Sequence, residues 1–205
     1  MGYGALSTTF TPEGGEPLSG VQPALAFQVG AAYAITENLA IALLYDRTSS
    51  TQELELAEPK AKGTLSTALS GIAAGIVFTP RTAYDLQLYG AVGSYTVTGR
   101  SDGTAEVIPG PGEDPVQARS VIELTTPSRL GWLLGGRIRV PLSRGLLLTA
   151  GLAYRQAADF DRASITARTD EDGDGDFDQE DSGTLENFVL DTRSWSVTAG
   201  IAYQF

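Results

Sequence analysis

The last thirteen residues, "RSWSVTAGIAYQF", separate by parity. Trp195, Val197, Ala199, Ile201, Tyr203 and Phe205 form one set, and Ser194, Ser196, Thr198, Gly200, Ala202 and Gln204 form the other. Such alternation defines a β-strand with one apolar face and one small, polar face. In a soluble sandwich the apolar face would be core and the polar face would meet water. Aromatics at both ends of the apolar set favour the reverse, in which that face meets lipid and the aromatics mark two interfaces. Trp195 and Tyr203 are eight residues apart. At ~3.3 Å per residue and a tilt of about 40°, that distance climbs about 20 Å, close to the lipid-facing band of a barrel.

The same device recurs along the chain. "FQVGAAYAI" alternates Phe27, Val29, Ala31 and Tyr33 against Gln28, Gly30 and Ala32, and "NLAIALLYD" puts Leu39, Ile41, Leu43 and Tyr45 on one face. "RLGWLLGGRIRV" carries Trp132 on its apolar face and Arg137 and Arg139 on the other. "GLLLTAGLAYR" sets Tyr154 on the face opposite Arg155. Gly-x-x-aromatic spacings end at Tyr33, Phe78 and Tyr203. Tyr33, Tyr45, Phe78, Trp132, Tyr154, Trp195 and Tyr203 are therefore the expected lipid-interface aromatics. Short connections at 36–38, 79–83 and 141–145 alternate with long polar ones at 11–23, 49–63, 100–118 and about 159–187. Strands are expected at 3–10, 24–35, 39–54, 64–78, 84–99, 119–140, 145–158 extending toward 168, and 188–205. That makes eight, an even number, as closure of an up-and-down barrel with both termini on one side requires. The predicted architecture is all-β: one eight-stranded antiparallel up-and-down transmembrane barrel over residues 1–205, with short periplasmic turns and long extracellular loops.

With the aromatic faces outward, Asp46, Asp85, Arg137, Arg139 and Arg155 line the interior. Eight strands leave room only for side chains, and buried charges of opposite sign must pair. Arg137 and Arg139 are expected to pair with Asp85, and Arg155 with Asp46 or a loop acid. Such pairs would plug the barrel; the sharper alternative is a gated narrow pore.

The acidic stretch "TDEDGDGDFDQED" is the other strong signal. The chain of 205 residues carries a formal charge of −11, and eight of its acids fall in residues 170–181 without a basic residue. Removing those eight charges leaves −3, so the acidity is local. It argues against nucleic acid as a partner. Asp170, Asp172, Asp174, Gly175, Asp178 and Asp181 occupy positions 1, 3, 5, 6, 9 and 12 of an EF-type calcium loop, with the carbonyl of Asp176 at position 7. Asp181 stands where Glu is usual, which weakens bidentate closure, and no helix flanks the stretch. The expectation is a calcium-ligating clasp at 169–182, between the seventh and eighth strands. The plainer reading is an acidic, solvated loop that holds no specific ion.

The apolar, aromatic-ended strands and the terminal Phe205 with Tyr203 two residues before it resemble the small eight-stranded outer-membrane barrels of bacteria, the group of the OmpA transmembrane domain, OmpX and OmpW. The resemblance implies a bacterial outer-membrane location with loops extracellular, contact with outer-membrane lipid and lipopolysaccharide, and recognition of the final strand, through Phe205, by the barrel-assembly machinery. No signal peptide opens the chain, and residue 1 is read as the start of a processed or trimmed chain. Enzymes of this barrel type (lipid A deacylases, phospholipases, surface proteases) use a His, and this chain has neither His nor Cys. Its only lysines, Lys60 and Lys62, have no Ser at an S-x-x-K spacing. The function expected is therefore non-enzymatic: a structural or adhesive surface barrel whose long loops, stiffened by calcium, mediate surface contacts or self-association. The alternative is an OmpW-like narrow transport barrel for small hydrophobic molecules or ions.

Overall fold

The computed structural model describes residues 1–56, 61–81, 85–107 and 116–204. They form ten ladder segments: β1 (Gly2–Pro12), β2 (Leu18–Ala34), β3 (Leu39–Leu56), β4 (Ala61–Phe78), β5 (Leu86–Val107), β6 (Val116–Thr125), β7 (Arg129–Ser143), β8 (Leu146–Ala157), β9 (Phe160–Asp170) and β10 (Gln179–Tyr203). All pairings are antiparallel, and β10 closes on β1. β5 pairs with β7 over Leu86–Tyr95 and with β6 over Thr98–Val107. β10 likewise pairs with β8 in its second half and with β9 in its first. β6 and β7 are thus two parts of one wall strand, as are β8 and β9, and the ring has eight strands.

The interruptions have a local cause. Between the pairs Tyr95↔Arg129 and Thr98↔Thr125, β5 has two residues and the facing strand has three, 126–128. This is a β-bulge, and Pro127 within it has no N–H to give to the ladder. Thr126 repairs the seam: its N–H donates to the Val97 carbonyl at 2.9 Å, and its Oγ1 accepts the Val97 N–H at 2.9 Å. A second bulge separates β8 from β9 around Ala158, whose N–H donates to the Leu130 carbonyl at 2.7 Å.

The long connections are ladder for much of their length. Pairing continues to Phe10↔Leu18, Leu56↔Ala61, Val107↔Val116 and Thr169↔Gln179. The hairpins therefore stand well beyond the apolar band. Polarity switches along the barrel. At the end holding both termini and the short turns, large apolar residues such as Ile41, Ile72, Leu134 and Ile201 face outward. In the hairpin extension, cross-strand ion pairs face outward, among them Arg100–Glu123 at 2.6 Å and Arg162–Glu186 at 3.1 Å. Inside, Leu44, Val77, Tyr89 and Leu133 fill the turn end, and Leu6, Leu69, Tyr95, Phe160 and Phe188 fill the loop end.

Candidate functional site

The outward aromatics fall into two bands. Tyr33, Phe78 and Tyr203 are exposed near the turn end. Tyr45, Trp132, Tyr154 and Trp195 form the other band, joined by Phe27. Trp132 packs on Tyr154 with ring centroids 5.2 Å apart, and Phe27 on Tyr45 at 6.4 Å. Rings with an apolar body and a polar tip suit the two faces of a bilayer, and the apolar residues between the bands suit its hydrocarbon. Phe205 lies outside the described residues.

Between the two interior clusters sits a polar layer. Asp46 and Arg155, each 0% exposed, form an ion pair across it. The Tyr95 hydroxyl donates to Asp46 Oδ1 at 3.2 Å. Arg155 Nη1 donates to Ser194 Oγ at 3.3 Å and Ser196 Oγ at 3.2 Å, and Ser194 Oγ donates to Thr48 Oγ1 at 3.4 Å. Glycines make room for this arrangement. Tyr95 lies in a slot between Gly71 and Gly131, where a Cβ on either would overlap its ring.

Nearer the turn end, Arg139 donates to Asp85 Oδ1 through Nε at 3.0 Å and Nη2 at 2.7 Å. Arg137 does not share that acid. Its Nε donates to Gln87 Oε1 at 2.7 Å, and its guanidinium lies 5.7 Å from the Tyr89 ring centroid. Register explains the correction: Arg137 stands opposite Gln87, one pair deeper in the barrel, while the Arg139 N–H donates to the Asp85 carbonyl at 2.8 Å.

The acidic stretch is a tight connection between β9 and β10, with Asp170 as the last residue of β9. Asp170 is 3% exposed. Its Oδ1 accepts the Gly173 N–H at 2.7 Å and its Oδ2 the Gly175 N–H at 3.1 Å. Gly173 and Gly175 take φ of 77° and 98°, a region that L side chains rarely adopt. Asp172 Oδ1 accepts the Asp174 N–H at 3.2 Å, and Asp174 Oδ1 the Asp176 N–H at 2.8 Å. Asp178 Oδ2 accepts the Glu171 N–H at 2.8 Å across the neck. One carboxylate oxygen each from Asp170, Asp172 and Asp174 lies within 4.8 Å of the others. Calcium takes oxygens at 2.3–2.6 Å, so ligands across its sphere stand about 5 Å apart, and this trio fits. Asp176 and Asp178 are outside the trio, and Asp181 sits in the β10 ladder opposite Ala167.

Arg119, which the sequence pattern does not single out, anchors this turn. It stands opposite Asp170 across the β6–β9 ladder. Its Nε and Nη2 donate to the two Asp102 oxygens at 3.0 and 2.9 Å, and its guanidinium lies 5.7 Å from the Phe177 ring centroid. The hydrogen bonds from Arg119 hold the Asp102 carboxyl below its ordinary pKa, and Asp102 in turn raises that of Arg119.

An inside-out apolar surface bounded by aromatic bands, on a closed eight-stranded ring, defines a small membrane-spanning β-barrel of the bacterial outer-membrane type. No protein-family model and no curated sequence matches the chain. Among solved structures, the chain is similar to the attachment invasion locus protein Ail of Yersinia pestis (14% identity, 100% of this chain and 99% of that one, TM-score 0.38). It is also similar to a major outer membrane protein of Thermus thermophilus (13%, 97% and 98%, TM-score 0.46) and to CarO of Acinetobacter baumannii (8%, 98% and 97%, TM-score 0.42). At these identities no residue's role transfers.

Proposed function

We propose that the protein is a non-enzymatic surface barrel of the bacterial outer membrane. Its hairpin extension faces outward, and its acidic turn binds calcium and stiffens that extension for contacts with a surface partner or with further copies. The observation that carries this reading is the filled interior: apolar clusters close over the Asp46–Arg155 pair on both sides, which favours a plug over a passage. What the fold offers to other molecules is then its outer surface and its hairpin ends.

Asp170, Asp172 and Asp174 would hold the ion, which supplies the positive charge that eight acids in residues 170–181 lack. Surrounding lipid, lipopolysaccharide included, contacts the aromatic bands, and the final strand is the segment offered to the assembly machinery.

Thermal melting in detergent under calcium titration tests the reading. The parent should gain melting temperature with calcium, and Asp172→Ala and Asp174→Ala should not. Equal gains in all three would remove calcium from the proposal. A silent parent in planar bilayers is expected, and steady conductance would return the reading to transport.

A further inference from the structure

The outer wall carries a second feature, independent of the acidic turn. Arg47 lies two residues above Tyr45 on the outward face of β3 and is exposed. No ion pair or hydrogen bond joins its side chain to any described residue. Arginines on other strands of the wall are neutralised: Arg193 pairs with Asp191 at 2.7 Å, Arg129 with Asp161, and Arg100 with Glu123.

Arg47 opens onto a groove of about 410 Å³ that runs up the wall across β3, β4, β5 and β6. Ser49, Thr51, Ser66 and Thr98 line it, and Arg100, paired with Glu123 at 2.6 Å, closes its upper end, so the unpaired charge is at the Arg47 end. Thr51 and Ser66 share a hydroxyl–hydroxyl bond of 3.1 Å. Below, the outward face turns apolar at once, with Tyr45 and Ile72 paired in one row.

This places a guanidinium with no partner among the described residues beside Phe27, at the upper edge of the aromatic band, near the depth where bilayer headgroups carry their phosphates. A guanidinium fork matches phosphate bidentately, and the hydroxyls above it suit the polyol or sugar attached to that phosphate. A chain of −11 exerts no long-range pull on anions, so capture has to be local. We propose that this groove is a binding site for the phosphate-bearing headgroup of an anionic membrane lipid, with Arg47 on the phosphate and the Ser/Thr hydroxyls on the headgroup beyond it.

Native mass spectrometry of the barrel released from nanodiscs of mixed phosphatidylcholine and phosphatidylglycerol tests this. The parent should retain phosphatidylglycerol above its share in the disc. Arg47→Gln should lower that excess about fivefold, the scale set by one basic side chain at an anionic membrane surface. Arg144→Gln, which removes an exposed arginine at the opposite end of the barrel, should retain the parent's excess. Full retention by Arg47→Gln, or an equal loss in Arg144→Gln, would overturn the site. Excess inorganic phosphate should leave the parent's lipid in place; stripping would assign the groove to the free anion and overturn the lipid reading. Heat-modifiable gel mobility identifies the folded fraction of each variant, so a folding defect cannot pass for lost binding.

Discussion

Asp46 and Arg155 form an ion pair with no exposure on either side, one strand carrying the acid and another, across the barrel, the base. Desolvating two charges is costly, and the surrounding hydroxyls of Tyr95, Ser194 and Ser196 offset part of that cost. Breaking the pair from one side leaves the other charge stranded. Arg155→Ala or Asp46→Ala should destabilise the barrel by about 3–5 kcal/mol. The double variant Asp46→Leu/Arg155→Leu should lose much less, since apolar clusters already flank the layer. Urea unfolding in lipid vesicles measures all three. A double variant as unstable as the sum of the singles would mean that the two residues are not coupled, against the ion pair of the structure.

The Tyr95 slot gives a packing prediction. A Cβ on Gly71 would overlap the ring, and Gly131 closes the other side, where a Cβ would come within 2.6 Å of Tyr95 Cδ2. The ring has nowhere to retreat, so Gly71→Ala should cost about 1–3 kcal/mol, the scale of core overpacking. Gly20→Ala, where nothing lies within 4 Å of the added carbon, is the control and should be near neutral in the same unfolding assay. Equal costs at the two positions would mean that the slot is not responsible.

Acid should loosen the acidic turn through Asp102. Arg119 holds that carboxyl below its ordinary value of 3.8, so the pairing favours the folded extension at any pH above that value. The benefit declines as pH falls below 3.8 and is gone once Asp102 protonates in the folded state. Hydrogen exchange of the amides at 171–178, taken relative to their intrinsic rates at each pH, should therefore accelerate below about pH 4 in the parent. In Asp102→Asn it should be fast already at neutral pH, with a flatter acid response. An unchanged neutral-pH rate in the variant would separate Arg119 from the turn.

The barrel was legible because its signal is local. Parity alone places Trp195, Tyr203, Tyr33 and Tyr45 on the lipid face, and the turns between strands follow from short polar connections. What was not legible depends on register between distant segments. Arg137 and Arg139 look equivalent in "GRIRV", yet only Arg139 stands within reach of Asp85. Arg119 meets Asp170 across a ladder joining segments far apart in sequence, and no periodicity near "QARSV" announces it. Tyr95 breaks the rule that aromatics face lipid, and its flanking glycines lie on two other strands. The bulge at 126–128 did leave a mark: Pro127 in the middle of a long strand pattern is the sign that the ladder is interrupted there.

Within the acidic turn, shape and ion binding can be taken apart. Asp170 uses both oxygens to accept the Gly173 and Gly175 amides, so it builds the turn as well as facing the trio. Asp172 accepts one amide through one oxygen, a task that an Asn side chain also performs. Asp172→Asn should therefore keep the metal-free turn, with slow exchange at Gly173 and Gly175, and weaken the calcium response, because it keeps a ligand oxygen and removes a charge. Asp170→Asn should speed that exchange without calcium, because the amide nitrogen cannot accept, and should also weaken the response. Amide exchange at the two glycines, with and without calcium, reads both effects together. If Asp172→Ala and Asp174→Ala, which remove the ligand oxygens, retained the full calcium protection, the trio would not be the ligand set, and the turn would be held by its own hydrogen bonds alone.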